Sequence, residues 1–163
     1  MRPDVLAGDE ADVGDCVFHY LEWAEKNGLP LFSHVVLLQP TSPFRTTEDI
    51  ESAISQWRIS GAPGLVSVVK AAPRTELVIH RDEDSGKLIK SEQLGHYSSY
   101  VLDGAIYITP IDGLRHTKKF WGPDSAIFIS ESVRYYDIDT PEEFQAAKAL
   151  YEASEELTTK KLY

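Results

Sequence analysis

Four short predicted strands, the first three of them apolar runs, constrain the fold more than any other feature of this sequence. They are His34–Gln39, Leu65–Val69, Gly104–Ile108 and Arg134–Asp139. The first is an unbroken series of β-branched residues and leucine, typical of a strand that is buried on both faces beneath helices. Strands that alternate with helices predict an α/β domain whose core strands are mostly parallel.

Three helices are predicted, one before the first strand, one between the first two strands and one after the last. The first spans residues 12–26 and begins at Asp12 or Asp15, since either side chain can serve as the N-cap. The second spans about 47–59, and the third begins at Thr140, which precedes a proline and two glutamates. A polar stretch at about 70–100 contains a predicted β-hairpin, which we interpret as an inserted arm within a single domain covering residues 1–163.

Composition excludes several classes of protein. The net charge of −10 repels phosphate backbones and anionic lipids, so we expect neither nucleic acid nor a membrane as partner. Cys16 is the only cysteine in the sequence, which excludes an internal disulfide and a cysteine-rich zinc site. The apolar runs are too short to span a bilayer, and the N-terminus does not resemble a signal peptide. These features predict a soluble cytoplasmic domain.

The loop after the first predicted strand concentrates polar chemistry between two prolines. Gln39 supplies an amide, Thr41 and Ser42 supply hydroxyls, and Arg45 supplies a cation. Such a set can bind the polar edge of a base or a sugar, with the arginine pairing to a carboxylate or a phosphate. The alternative is a rigid connector whose hydroxyls cap the next helix.

The last predicted strand ends in Asp137 and Asp139. Residues two apart on a strand point to the same face, so the two carboxylates are expected to converge. Paired carboxylates are ligands that suit Mg²⁺ when substrate phosphates complete its coordination. The alternative is that Asp139 helps to cap the following helix while Asp137 is solvated.

A third set of residues surrounds the third predicted strand. Asp103 and Gly104 stand at its start, and a glycine there permits close approach of a ligand. Tyr107 within the strand, together with the later pair Phe120 and Trp121, can form the wall of a sugar or acyl pocket. The alternative is that these aromatic residues belong to the core.

Taken together, these motifs resemble the acylneuraminate cytidylyltransferase family, the CMP-sialic acid synthetases and their relatives. The resemblance extends from Arg2 to about Leu150. Its motifs, in chain order, are Arg2-Pro-x-x-Leu-Ala-x-Asp9, His19, Val35-Val-Leu-Leu-Gln-Pro-Thr-Ser-Pro43-x-Arg45-Thr, Glu48-Asp-Ile, Gly104-Ala-Ile-Tyr-Ile108 and Asp137-Ile-Asp-Thr140.

The resemblance implies an activity and a set of site residues. Members of the family join CTP to a nonulosonic acid with Mg²⁺ and release pyrophosphate, on a three-layer sheet of the nucleotide-diphospho-sugar transferase type. By the same resemblance, Asp137 and Asp139 are the metal ligands and Arg2 contacts the nucleotide. The remaining substrate-binding residues are then Gln39, Thr41, Ser42, Arg45, Asp103, Gly104, Tyr107, Phe120 and Trp121.

Three departures from the family pattern affect these expectations. Asp103 stands where the family usually has asparagine, and the basic pair that usually precedes this strand is replaced by Lys90–Tyr97. The glycine-rich loop that holds the CTP phosphates in the family has no counterpart, because Met1 directly precedes Arg2. We therefore expect an N-terminally truncated relative that does not turn over CTP by itself, since preorganised donors supply much of such catalysis.

Two functions of different classes remain open at this point. One is a cytidylyltransferase that activates a sialic-type acid; the other is a non-catalytic relative that binds sugar or serves in assembly. A transferase for another sugar nucleotide is a third possibility, and the sequence does not distinguish between sialic, legionaminic, pseudaminic and shorter keto acids. Relatives pair through an inserted arm, and truncation is expected to leave an edge bare near residues 35–39, which predicts a homodimer or larger oligomer.

Overall fold

A computed structural model of the chain describes residues 3–8, 11–30, 32–70, 79–81, 88–90, 100–130 and 136–160. A 3₁₀ turn at Asp4–Leu6 precedes four helices and six strands. In chain order these are α1 (Val13–Lys26), β1 (His34–Leu37), α2 (Thr47–Ser60), β2 (Leu65–Lys70), β3 (Ile79–Arg81), β4 (Leu88–Lys90), β5 (Tyr100–Pro110), α3 (Ile111–Thr117), β6 (Ala126–Ser130) and α4 (Pro141–Lys160).

The main sheet is open and mixed, with strand order β1-β5-β2-β6. β5 lies antiparallel to both β1 and β2, while β2 and β6 are parallel. The α/β class is confirmed, but the expected three-layer, mostly parallel sheet is not. Parallel neighbours need a crossover, usually a helix, whereas the described part of the connection between β2 and β5 is a hairpin, so β5 returns antiparallel.

One expected strand is not where the sequence analysis put it. The described residues of the Arg134–Asp139 run, 136–139, form no strand, and residues 131–135 lie outside the described ranges. The Ile138 N–H donates to the Thr41 carbonyl instead of to a ladder. The strand beside β2 is β6, which the sequence analysis did not predict.

The two apolar runs before the hairpin differ in their burial. All five residues Leu65–Val69 of β2 are buried, as expected of a central strand. In β1 the expectation of burial on both faces is wrong, because Val36 remains 44% exposed. Among the described strands β1 pairs only with β5, so it lies at an edge of the sheet.

The helix starts follow the predicted capping chemistry. α1 begins after Asp12, whose Oδ1 accepts from the Gly14 N–H at 2.6 Å. α2 has a capping box between Thr46 and Asp49, and α4 repeats this pattern with Thr140 and Glu143. None of the helices within the described ranges is both long and apolar enough to cross a membrane.

The core lies between α2 and one face of the sheet. Its fully buried members are Ala53 on α2, Leu65 on β2, and Ile106 and Ile108 on β5. Burial of each large aliphatic side chain contributes about 1.5–3 kcal/mol. The partly buried residues packed against this cluster are Ile50, Ile54, Trp57, Ala105, Ala126 and Phe128. This packing holds α2, and the loop that leads into it, against β5.

The predicted hairpin is confirmed in its two strands. β3 and β4 pair antiparallel, with Ile79 opposite Lys90 and Arg81 opposite Leu88. The predicted turn at 84–87 lies outside the described residues. The role of the 70–100 arm in oligomerisation stays a prediction.

β5 carries an irregularity that shapes the rest of the molecule. Val66 pairs with Tyr107 but Val68 pairs with Leu102, so β5 advances five residues while β2 advances two. The extra residues bulge out of the ladder, and Gly104 among them adopts a left-handed backbone with φ 69°. A β-bulge of this kind bends the strand and re-aims its side chains.

We expect Gly104→Ala to destabilise the fold more than Gly61→Ala. Both glycines have φ near +65 to +70°, a conformation that costs an L-residue about 1–3 kcal/mol. A Cβ at Gly104 would also lie 2.7 Å from Gln39 Oε1, whereas nothing lies within 4 Å of one at Gly61. The Gln39 amide can move aside at little cost, so the added loss comes from the buried Ser42 hydroxyl, which would lie 3.1 Å from the Cβ and whose hydrogen bond to the Asp103 carbonyl contributes about 1 kcal/mol. Urea denaturation measures both losses, and equal losses would contradict the close contact.

Candidate active site

The Gln39–Arg45 loop is docked onto the β5 bulge. Ser42 is buried, and its hydroxyl donates to the Asp103 carbonyl at 2.9 Å. The Gln39 amide oxygen and the Ser42 hydroxyl both lie so close to the Cα of Gly104 that a Cβ there would be within 3.1 Å of each. A side chain at position 104 would therefore displace the Gln39 amide and press against the buried Ser42 hydroxyl.

Arg45 forms hydrogen bonds that hold this loop against β5. Its Nη1 donates to the Gln39 carbonyl at 3.2 Å and to the Ala105 carbonyl at 2.7 Å, which links the loop to the bulge. Burial lowers the pKa of Arg45, while the negative charges of Asp103 and Asp49 oppose that shift. The nitrogen that makes both contacts is thus committed to the backbone of the site.

A buried network beneath the loop holds the bulge in shape. Asp103 Oδ1 accepts from the Ser67 hydroxyl and from the Ala105 N–H, and Ser67 Oγ in turn accepts from the Ile106 N–H at 2.7 Å. Asp103 is 3% exposed and Ser67 is fully buried. The side-chain oxygen of an asparagine accepts the same two hydrogen bonds, so these contacts do not themselves require a carboxylate at position 103.

Sequence reasoning missed Ser67 as a member of the site. The signal was a hydroxyl within the apolar run Leu65–Val69, where every other residue is aliphatic. A buried hydroxyl needs a partner, and Ser67 finds partners in the backbone and the carboxylate that the bulge exposes.

The segment at 136–140 lies against the outer side of the same loop. The Ile138 N–H donates to the Thr41 carbonyl at 3.0 Å, and the ring of Tyr136 meets that of Phe44 edge to face with centroids 6.3 Å apart. This pairing brings Asp137 next to the loop. The predicted loop and the predicted acidic pair are therefore neighbours, although residues 136–139 form no strand.

Asp137 has the environment expected of a cation ligand. Its Oδ1 is buried and has no hydrogen-bond partner among the residues that the structure describes. A carboxylate oxygen in that position is costly unless it is hydrogen-bonded or paired with a cation. This oxygen fits Mg²⁺, which binds one or two carboxylates and takes its other ligands from phosphates and water.

Asp139 is placed differently from its neighbour. It is exposed, and its N–H donates to Glu143 Oε2 at 2.9 Å. The strand geometry that was expected to make the two carboxylates converge is absent, and the described residues hold no cluster of three potential metal-ligating side chains. The hydrogen bonds from Asp139 and Thr140 lower the pKa of Glu143, which therefore carries the charge at the start of α4.

Tyr107 connects the acidic side of the site to its aromatic side. Burial raises the pKa of Tyr107, and the negative charges of Asp103 and Asp137 raise it further. Its ring lies 6.0 Å from that of Phe120, centroid to centroid. The phenol therefore stays protonated at neutral pH, with the acids on one side and an aromatic wall on the other.

Phe120 and Trp121 follow α3 and line a cavity of about 260 Å³. The Thr109 hydroxyl donates to the Phe120 carbonyl at 2.6 Å, which fixes this segment to the end of β5. Trp121 is 48% exposed, so it is not a core residue. Of the residues that the resemblance implied, only Arg2 lies outside the described part of the chain.

Comparison with known proteins agrees with the resemblance seen in the motifs. The chain is 32% identical over 166 aligned positions to the CMP-N,N'-diacetyllegionaminic acid synthase of Legionella pneumophila, an alignment that covers 96% of this chain and 69% of that protein. The chain belongs to the acylneuraminate cytidylyltransferase family. It is also 28% identical over 153 positions to the N-acylneuraminate cytidylyltransferase of Escherichia coli, covering 90% of this chain but only 35% of that protein. No protein-family model matches the chain.

Ser67→Ala is expected to lower the free energy of unfolding by about 1–3 kcal/mol, because it removes the hydroxyl that accepts from the buried Ile106 N–H and one of the two hydrogen bonds that Asp103 Oδ1 accepts. The matched control is Ser60→Ala at an exposed serine, for which the loss should stay within about 0.5 kcal/mol. Chemical denaturation compares the two variants. If Ser67→Ala loses no more stability than Ser60→Ala, the hydrogen bonds of Ser67 do not stabilise the bulge.

Tyr107 is expected to titrate above its ordinary value of 10.0, and Asp137→Asn should lower that pKa by removing one of its causes. The protonated phenol favours the fold, so its contribution to stability is complete below about pH 10 and is lost as pH rises through the folded-state pKa. NMR titration of ¹³C-labelled tyrosine measures the shift, with Tyr107→Phe to assign the resonance. If the pKa of Tyr107 is unchanged in Asp137→Asn, the charge of Asp137 does not act on Tyr107.

Proposed function

We propose that this chain forms the sugar-acid and metal side of a cytidylyltransferase site that couples a nonulosonic acid to CTP. In the reaction a hydroxyl oxygen of the sugar acid attacks the α-phosphorus of CTP and a new P–O bond forms. The bond to the β-phosphate breaks, pyrophosphate leaves, and the hydroxyl proton passes to solvent or a base. The observation that carries the proposal is Asp137 Oδ1, which lies buried beside the docked loop and has no hydrogen-bond partner within the described ranges.

The loop provides the polar surface for the sugar acid. Gln39 presents its amide over Gly104, and Thr41 lies on the side nearest Asp137. Ser42 and Arg45 make hydrogen bonds to the bulge that keep the loop from shifting. A site of this kind orients its substrate through fixed polar groups, which contributes to rate by positioning alone.

Asp137, with Asp139 two residues along the chain, would hold the metal ion. When bound, Mg²⁺ neutralises the negative charge that builds up on the phosphates during transfer. The residues of this chain do the remaining work. The protonated Tyr107 provides a hydroxyl donor beside the acids, Phe120 and Trp121 exclude water from one side of the site, and Arg2 is proposed to contact the nucleotide.

The sheet and the family relationship support this proposal, and it includes a specific fold type and an oligomeric state. The α/β sheet and the family relationship agree with a nucleotidyltransferase. We further propose that the sheet belongs to the three-layer nucleotide-diphospho-sugar transferase type, and that the chain forms a homodimer or larger oligomer. Light scattering at tens of micromolar tests the second point, and a clean monomer would contradict it.

Mg²⁺ or Mn²⁺ is expected to raise the melting temperature of the chain, because it binds the folded state through Asp137. Asp137→Asn should abolish this rise, and Asp139→Asn should reduce it if both acids hold the ion. Asp124→Asn is the control, since that exposed aspartate lies in the segment between α3 and β6. A rise that is unchanged in Asp137→Asn would overturn the metal assignment.

Pyrophosphate release tests the reaction itself. CTP, Mg²⁺ and a panel of nonulosonic acids are supplied to the chain, with Asp137→Ala as the blank. Release above the blank supports the cytidylyltransferase and contradicts the expectation that the chain alone is inactive. Binding of a sugar acid without pyrophosphate release favours the sugar-binding alternative. If the chain shows no binding and no release, the proposal is overturned.

A further inference from the structure

The three backbone N–H groups that follow Asp137 are all hydrogen-bonded. That of Ile138 donates to a carbonyl of the docked loop at 3.0 Å. Those of Asp139 and Thr140 both donate to Glu143 Oε2, at 2.9 and 2.8 Å. The backbone that carries the two acids is therefore held from one side by the loop and from the other side by α4.

One of these hydrogen bonds is not explained by helix capping. In a capping box, the glutamate at the third position of the helix accepts from the N–H of the N-cap residue, which here is Thr140. Glu143 also accepts from the Thr140 hydroxyl at 3.0 Å and, one residue earlier, from the Asp139 N–H. The contacts with Thr140 stabilise the start of α4, whereas the contact with Asp139 joins the helix to the acidic segment.

The helix that carries Glu143 is itself held in place. α4 and the docked loop line a common cleft of about 230 Å³, with Pro43 and Phe44 on the side of the loop and Phe144 and Ala147 on the side of the helix. Ala147 is only 5% exposed, so α4 packs against the rest of the molecule one turn after Glu143. A side chain on this helix can therefore hold the preceding segment in a defined position.

A defined position matters because Asp137 is in an unfavourable environment. Its Oδ1 is buried and finds no hydrogen-bond partner in the described part of the chain. Such an oxygen is costly to bury while no cation is bound, so a free backbone would let the carboxylate turn toward water. The hydrogen bonds at residues 138–140 restrict that movement. Removing a group that orients a metal ligand typically weakens metal binding by about 10–100-fold.

We propose that Glu143 is a positioning residue for the metal site. Its Oε2 fixes the backbone at Asp139 and, through the chain, the position of Asp137, so that the acids are ordered before the ion binds. The proposal rests on the proposed function, in which these acids hold Mg²⁺. Glu143 acts through the backbone, because the donors that its Oε2 binds are two N–H groups and the Thr140 hydroxyl.

The test is the dissociation constant of Mn²⁺, which takes the same kind of oxygen ligands as Mg²⁺ and whose free ion gives an EPR signal that is lost on binding. Glu143→Ala is expected to raise this constant by about tenfold or more. Glu143→Gln should keep it within about threefold of the natural value, because the amide oxygen can accept from the same two N–H groups. Rescue by glutamine would show that the hydrogen bonds, and not the charge, position the acids.

Glu142→Ala is the matched control. Glu142 is exposed, lies in the same first turn of α4 and carries the same charge as Glu143. Loss of an exposed charge should change the dissociation constant of Mn²⁺ by about twofold or less. Melting temperatures are measured for every variant, and binding is compared at a temperature where all of them are folded.

A substitute is available if Glu143→Ala does not fold. Glu143→Asp keeps the charge but shortens the side chain by one methylene, so its carboxylate no longer reaches both N–H groups. We expect it to weaken Mn²⁺ binding by about threefold or more.

The outcomes separate this proposal from the proposed function. If the folded Glu143→Ala or Glu143→Asp variant has a lower melting temperature but binds Mn²⁺ as the natural chain does, Glu143 is only a helix cap and this inference is wrong. Glutamine binding as weakly as alanine would also overturn it. If the natural chain does not bind Mn²⁺, or if Asp137→Asn binds it equally well, the metal assignment of the proposed function fails and this inference fails with it.

Discussion

The docking of the Gln39–Arg45 loop on the β5 bulge is the constraint on which the rest of the site depends. Gly104 is left-handed, and a Cβ there would lie 3.1 Å from the buried Ser42 hydroxyl and 2.7 Å from the Gln39 amide oxygen, so glycine lets the loop pack closely on the bulge. Once the loop is docked, Ser42 and Arg45 tie it to the backbone of β5, and the Thr41 carbonyl receives the N–H of Ile138. This last hydrogen bond places Asp137 beside the loop, so the position of the 136–140 segment depends on the docked loop.

Buried polarity in this molecule is concentrated where the sheet is irregular. A bulge leaves backbone groups outside the ladder, and each needs a partner in the interior. Ser67 and Asp103 supply these partners at the cost of burying a hydroxyl and a carboxylate. The same carboxylate, together with Asp137, raises the pKa of Tyr107. The irregularity therefore determines both the shape of the site and its electrostatics.

Sequence patterns predicted the features that local chemistry determines. The capping boxes at Thr46 and Thr140, the end of α1 and the hairpin strands follow from adjacent residues. The edge near residues 35–39 was expected from the resemblance, and β1 lies at an edge of the described sheet. The antiparallel direction of β5 did not follow, because it depends on which distant segments pair. β6 was missed although Ala126–Ile129 is an apolar run, because the run is short and follows the polar turn at 122–125. Asp137 was predicted for its chemistry, but the described residues around it, 136–139, form no strand.

The order of the strands also bears on how the chain reaches this structure. Leu37 pairs with Tyr107, so the β1–β5 ladder closes a loop of about seventy residues, and such non-local pairings slow folding to the range of milliseconds to seconds. α2 is local and capped, and it packs on the central strands β2 and β5. A nucleus of α2 with β2 and β5 can form while β1 is still unpaired. The Gln39–Arg45 loop follows β1 directly and contacts β5, so its docked form requires these two distant segments to have met.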